Sequence, residues 1–108
     1  MGIEKRRAER IVPAQQPDGK ITLLVKEKQF NVLKIKDVSP FGIGIQTNVQ
    51  LKIGDFVGFR YHNDELTIET SGSVEWSDIQ GQNCWAGIYF NPADMENNML
   101  FCMTMSGQ

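Results

Sequence analysis

The residues best suited to chemistry in this sequence fall in two short groups. The first is Arg6-Arg7-Ala8-Glu9-Arg10, in which Arg6 and Arg10 are spaced RxxxR, and the second is Asp37-Val38-Ser39-Pro40-Phe41-Gly42, spaced DxSxxG. Taken alone, the first is a solvated basic tail or one turn of a salt-bridged helix. The second, alone, is a strand-ending turn: Asp37 and Ser39 bond local backbone groups, Pro40 fixes one turn position and Gly42 permits a positive φ. Both patterns speak of charge and hydrogen bonding, not of bond-breaking.

Catalytic constellations do not assemble from the remaining residues. The single histidine, His62, falls in an expected hairpin tip, and Cys84 and Cys102 lack CxxC spacing, so neither a zinc site nor a Cys/His dyad is built. No Ser, Asp and His spacing suggests a triad, and GxGxxG and P-loop motifs are missing from the sequence. Carboxylates such as Asp64-Glu65 are solvated loop charges. The expectation is a protein that is not an enzyme and carries no cofactor or metal.

What must position the two groups follows from size and charge. A chain of 108 residues, 41% hydrophobic and 22% charged, makes one compact domain. No apolar run approaches the roughly 18 residues of a membrane helix. The net charge of −2 hides an uneven distribution: residues 1–10 hold Lys5, Arg6, Arg7 and Arg10 against Glu4 and Glu9, leaving the other residues seven positive and eleven negative charges. A basic arm of net +2 thus precedes an acidic body of net −4, and the molecule as a whole has no field that would attract nucleic acid non-specifically. Two cysteines and the lack of an apolar leader favour the cytoplasm. Met1-Gly2 does not make a myristoylation site, because Arg6 stands where that motif needs Ser or Thr.

The spacing predicts a basic arm and linker over residues 1–19, with Pro13, Pro17 and Asp18-Gly19 breaking any periodicity, and a folded domain over 20–108. Short β-rich runs follow. Ile21 to Val25 and Phe30 to Ile35 flank a Lys26 to Gln29 loop, with Phe30, Val32 and Lys34 sharing one face and Asn31, Leu33 and Ile35 the other. Gly42 to Ile45 alternates glycine with isoleucine. Phe56 to Tyr61 and Leu66 to Thr70 form a hairpin, continued by Ser73 to Trp76 beyond a bulge or bend at Gly72, and a loop from Asp78 to Asn83 leads to Cys84 to Phe90. Such a series is mainly β: a small six- to seven-stranded antiparallel barrel. A C-terminal helix over about 91–105 starts with Asn91 as N-cap and Pro92 at its first position. Its stripe of Met95, Met99, Leu100, Cys102 and Met103 is expected to pack on the barrel, the alternative being a surface for a partner protein.

In this order and in an all-β chain of this length, RxxxR followed by DxSxxG resembles the PilZ domain family, bacterial receptors for cyclic di-GMP. The resemblance continues through Leu51 to Val57, Gly72 to Trp76 and Gly87 to Phe90. It implies a split barrel and a nucleotide site made by Arg6, Arg10, Asp37, Ser39 and Gly42 on the barrel's outer surface, with Lys5 and Arg7 as auxiliary residues. Physical chemistry suits that set to the ligand. Arginine forks onto phosphate oxygens or onto guanine O6 and N7, and stacks on bases. Asp37 accepts from a guanine's N1–H and N2–H edge, Ser39 adds a hydroxyl, and Gly42 lets the backbone come close.

Lys5 departs from the family pattern, since several members that hold a stacked, two-molecule form of the ligand have arginine there; lysine keeps the charge without the planar surface. One or two ligand molecules per site both remain compatible with the motif. Trp76 and Trp85 offer aromatic faces, with core or rim packing as the simpler role. The arm, too poor in apolar residues to fold alone, is expected to close over Asp37 and Ser39 when ligand binds. With no output domain in the sequence, the signal is expected to pass to an effector protein of motility, pilus, exopolysaccharide or virulence machinery, by family analogy. Two alternatives are a nucleotide-independent adaptor on the same fold and a small barrel that binds single-stranded nucleic acid, the latter opposed by the acidic body.

Overall fold

The computed structural model describes residues 11–13 and 19–106. Six strands, β1 (Lys20–Val25), β2 (Lys28–Ser39), β3 (Gly42–Thr47), β4 (Phe56–His62), β5 (Thr67–Gln80) and β6 (Asn83–Phe90), precede one helix, α1 (Met95–Met105). All neighbours are antiparallel, in the order β1-β2-β3-β6-β5-β4, and β1 pairs with β4 to close the barrel. The expected mainly β barrel with a C-terminal helix is therefore present, with six strands. Closure between β1 and β4 is local: β1 covers β2 only as far as Asn31, so the second half of β2 keeps an edge on the side away from β3.

Period-two alternation decides which side chains go inside. In β3, Ile43 and Ile45 are fully buried while Gly42, Gly44 and Gln46 take the outer side. Leu23, Ile35, Val38, Val57, Phe59 and Ile88 complete the interior from the other strands. Phe59, Phe90 and Phe101 fill one end, their ring centroids 5.8 to 6.2 Å apart in edge-on or tilted contacts.

Several local expectations need correction. Lys28 and Gln29 belong to β2, and only Lys26 and Glu27 turn, with φ of 50° and 68°. A two-residue hairpin loop with both residues left-handed follows the natural twist of the strands, so pairing runs to the last possible residue. Asp78 to Gln80 likewise extend β5, and the turn shrinks to Gly81 and Gln82, with only Gly81 at a positive φ, 64°. β2 has two bulges, between Val32 and Lys34 and between Ile35 and Asp37. Each resets the alternation, so Lys34 leaves the side of Phe30 and Val32, and Ile35 joins it. The bulge in β5 lies between Val74 and Trp76, not at Gly72, which stays in register with Phe90; the position takes glycine because a side chain there would strike the Tyr89 carbonyl.

The helix start is nearly as expected: Asn91 Oδ1 accepts the Ala93 N–H at 3.0 Å, but Pro92–Asp94 forms a 3-10 turn before α1 begins. The expected stripe holds at Cys102 and in part at half-buried Met95, but not at Met99, Leu100 and Met103. Asn98, Phe101, Cys102 and Met105 face the barrel, whereas Met99, Leu100 and Met103 are about half exposed. Buried Asn98 selects that face: its Nδ2 donates to the Asn91 carbonyl at 2.8 Å, and its Oδ1 accepts from the Thr70 hydroxyl. An amide held on both sides fixes the helix's rotation more tightly than interchangeable methionines do.

Candidate functional site

The DxSxxG segment forms the end of β2, a turn at Pro40 and Phe41, and the start of β3. Ser39 pairs with Gly42 across that turn, and Ser39 Oγ accepts the Phe41 N–H at 3.1 Å. Ser39 is only 2% exposed, whereas Asp37 is half-buried on the outer side. The positive φ foreseen for Gly42 does not occur: among the described residues the glycines with left-handed backbone are Gly54 and Gly81. Gly42 instead opens β3 opposite Tyr89.

Register then lines up residues from four strands. Asp37 lies opposite Gly44, Gly44 opposite Gly87, and Gly87 opposite Trp76, making one row across the outer face of β2, β3, β6 and β5. The two central positions have no side chains, and their neighbours occupy the space. Asp37 Oδ1 lies 3.0 Å from where a Cβ on Gly44 would be, and a Cβ on Gly87 would overlap the Trp76 indole. The carboxylate and the indole thus lean toward each other from opposite walls of a glycine-floored trough. Tyr89, 41% exposed, flanks it on one side, and Gln46 and Trp85 lie in the next row on the other.

The second bulge of β2 adds a cation. Strict alternation would put Lys36 and Asp37 on opposite faces, but the extra residue brings both outward. Lys36 Nζ reaches across the glycines to 5.3 Å from the Trp76 ring centroid. The trough therefore offers a hydrogen-bond acceptor, an ammonium and an aromatic surface that is 39% exposed, a set suited to a planar, anionic ligand with donor groups on one edge.

Arg6, Arg10, Lys5 and Arg7 lie outside the described residues. Ile11, which follows Arg10 in the chain, does not: its N–H donates to the Val38 carbonyl at 2.8 Å and its carbonyl accepts the Val38 N–H at 2.9 Å. This bridge lies between Asp37 and Ser39, so the RxxxR segment enters the described structure beside the DxSxxG segment.

A family model for the PilZ domain matches residues 4–104. The chain belongs to the PilZ domain family. PilZ domains form a family of cyclic di-GMP receptors; they are binding domains, not enzymes. No curated protein sequence matches the chain. Among solved structures, the PilZ chain is similar to MotI/DgrA, an inhibitor of motility from Bacillus subtilis, with 13% identity and a TM-score of 0.56 over 91% of its own length. That likeness is one of fold, and it spans half of the MotI/DgrA chain.

Elsewhere the PilZ barrel shows less. Cys84 and Cys102 are buried thiols, and His62 is exposed at the end of β4. Among the described residues no three His, Cys, Asp or Glu side chains converge as a metal site, and no helix is long and apolar enough to cross a membrane. An open groove of about 500 Å³ lined by Leu24, Val25, Phe56 and Gly58 lies over β1 and β4, on the far side of the barrel from the trough. Sequence reasoning missed Lys36 and the Gly87 floor, because a bulge carries no residue signature and Gly87 acquires its meaning only from Trp76 opposite.

Proposed function

We propose that this chain binds cyclic di-GMP on the outer face of β2, β3, β6 and β5, with Arg6 and Arg10 as its main clamps. One observation carries the assignment: the Ile11–Val38 bridge ties the end of RxxxR to the strand that holds Asp37 and Ser39. Membership of the PilZ family supports the choice of ligand.

In this reading Arg6 and Arg10 fork onto phosphate oxygens or a guanine's O6 and N7. Asp37 accepts from the guanine N1–H and N2–H edge. Ser39 holds the turn through Phe41 and adds a hydroxyl once the ligand is seated, and Gly42 keeps the backbone accessible. Trp76, whose indole lies over Gly87, stacks on a base. Lys5 and Arg7 add charge. Ligand binding fixes residues 5–10 over the trough, and the changed surface alters contact with an effector protein; by analogy with the motility inhibitor of similar fold, a component of motility machinery is the first partner to test.

Calorimetric titration of the chain with cyclic di-GMP tests this. The expected result is saturable binding with a stoichiometry of one or two, weakened by salt and absent for GMP at the same concentration. Binding of single-stranded oligonucleotide in its place would overturn the reading.

A further inference from the structure

The contact between Lys36 and Trp76 is long-range in the sheet. β2 and β5 are separated by β3 and β6, about 14 Å along a flat sheet. The ammonium nevertheless sits 5.3 Å from the ring centroid, because Gly44 and Gly87 leave the span empty and both long side chains lean into it. Lys36 is exposed and the bulge that turns it outward also turns out Asp37. A cation thus rests over the aromatic surface on which a base would stack.

We propose that Lys36 is a further ligand-binding residue of this site, a transferable cation that lies on the Trp76 indole in the empty barrel and moves to a phosphate when a guanine takes its place. The inference rests on the cyclic di-GMP reading. A base and an ammonium compete for one indole, so stacking must release Lys36. An exposed cation–π contact is weaker than a charge-assisted contact to phosphate, and the exchange therefore favours binding. Lys36 lies at the opposite edge of the trough from Trp76, so a ligand bridging the glycine floor brings its anionic backbone within the lysine's reach.

The test is calorimetry of wild type, Lys36→Met, Lys36→Gln and Lys36→Arg with cyclic di-GMP, at low salt and at about 0.5 M salt, where charge contacts are largely screened. Lys36→Met and Lys36→Gln are expected to bind about tenfold more weakly at low salt, with the gap closing at high salt, and Lys36→Arg to stay within about threefold of wild type. Thermal melts should coincide, since the residue is exposed. In a Trp85→Phe background, which isolates Trp76, the Lys36→Met change should alter emission of the ligand-free protein and diminish the further change on adding ligand. Wild-type binding with equal affinity for Lys36→Met at low salt overturns the role of Lys36 alone. No binding by wild type overturns the cyclic di-GMP reading, and the Lys36 proposal with it.

Discussion

Ile11 and Val38 exchange both of their backbone hydrogen bonds, at 2.8 and 2.9 Å, and so join the chain just after RxxxR to β2 within DxSxxG. Two motifs separated by 26 residues of sequence become neighbours through one bridge. The bridge costs no side chain, and it leaves Asp37 on the outer face while Val38 stays fully buried.

Replacing Ile11 by proline removes the N–H that donates to Val38 and leaves the barrel's own pairing intact. Because Val38 is fully buried and Ile11 packs against the core, the stranded carbonyl and the lost packing cost about 1–3 kcal/mol, and the melting temperature falls by several degrees while the barrel stays folded at room temperature. Affinity for cyclic di-GMP is expected to fall severalfold, because Arg10 loses its fixed starting point. A calorimetric titration beside a thermal melt separates the two effects; equal affinity would show that the bridge does not position the arm.

Arg10→Ala should weaken cyclic di-GMP binding by about 1–3 kcal/mol, roughly tenfold to a hundredfold, if it removes one bidentate contact. Arg10→Lys should recover only part of that loss, since the ammonium keeps the charge without the fork. Calorimetry on both variants checks the order wild type, lysine, alanine. A lysine variant as tight as wild type would reduce the role of Arg10 to charge alone.

The barrel was legible in the sequence because short β-rich runs are punctuated by turn residues and some alternate cleanly, as in β4, where Val57, Phe59 and Tyr61 are buried and Phe56, Gly58 and Arg60 are not. The candidate site was legible only as motifs. Asp37, Ser39 and Gly42 could be named from their spacing, but Lys36 could not, because the bulge that brings it outward depends on pairing between β2 and β3. Trp76 was ambiguous for a related reason: the bulge after Val74 decides which way the indole points. The methionine-rich helix misled because hydrophobicity outranks Asn98 in a sequence pattern, whereas hydrogen bonds to Asn91 and Thr70 decide the rotation.

Gly87→Ala would place a methyl group in the volume of the Trp76 indole. The indole is a half-exposed side chain with room to swing outward, so the barrel should fold with a cost of about 1 kcal/mol. The displaced ring loses its place over the trough, and both Lys36 contact and base stacking go with it. Expected outcomes are altered tryptophan emission without ligand and at least fivefold weaker cyclic di-GMP binding, by the cost of about 1–3 kcal/mol for a lost base–aromatic stack. Unchanged affinity in calorimetry would remove Trp76 from the site.

The two faces of α1 make opposite predictions for stability. Asn98→Leu leaves the Thr70 hydroxyl, on a residue only 6% exposed, without its acceptor, and removes the donor to the Asn91 carbonyl. A buried polar group so stranded costs about 1–3 kcal/mol, and branched bulk in place of a planar amide adds strain at the barrel contact. Met103→Lys, by contrast, changes a half-exposed residue near the helix C-terminus, whose last turn contains no basic residue. A cation there interacts favourably with the helix dipole, so the effect should range from neutral to a gain of about 0.5 kcal/mol. Urea unfolding of the two variants distinguishes the observed rotation from the methionine stripe: if Met103→Lys destabilised more than Asn98→Leu, the helix would have to turn its methionines inward.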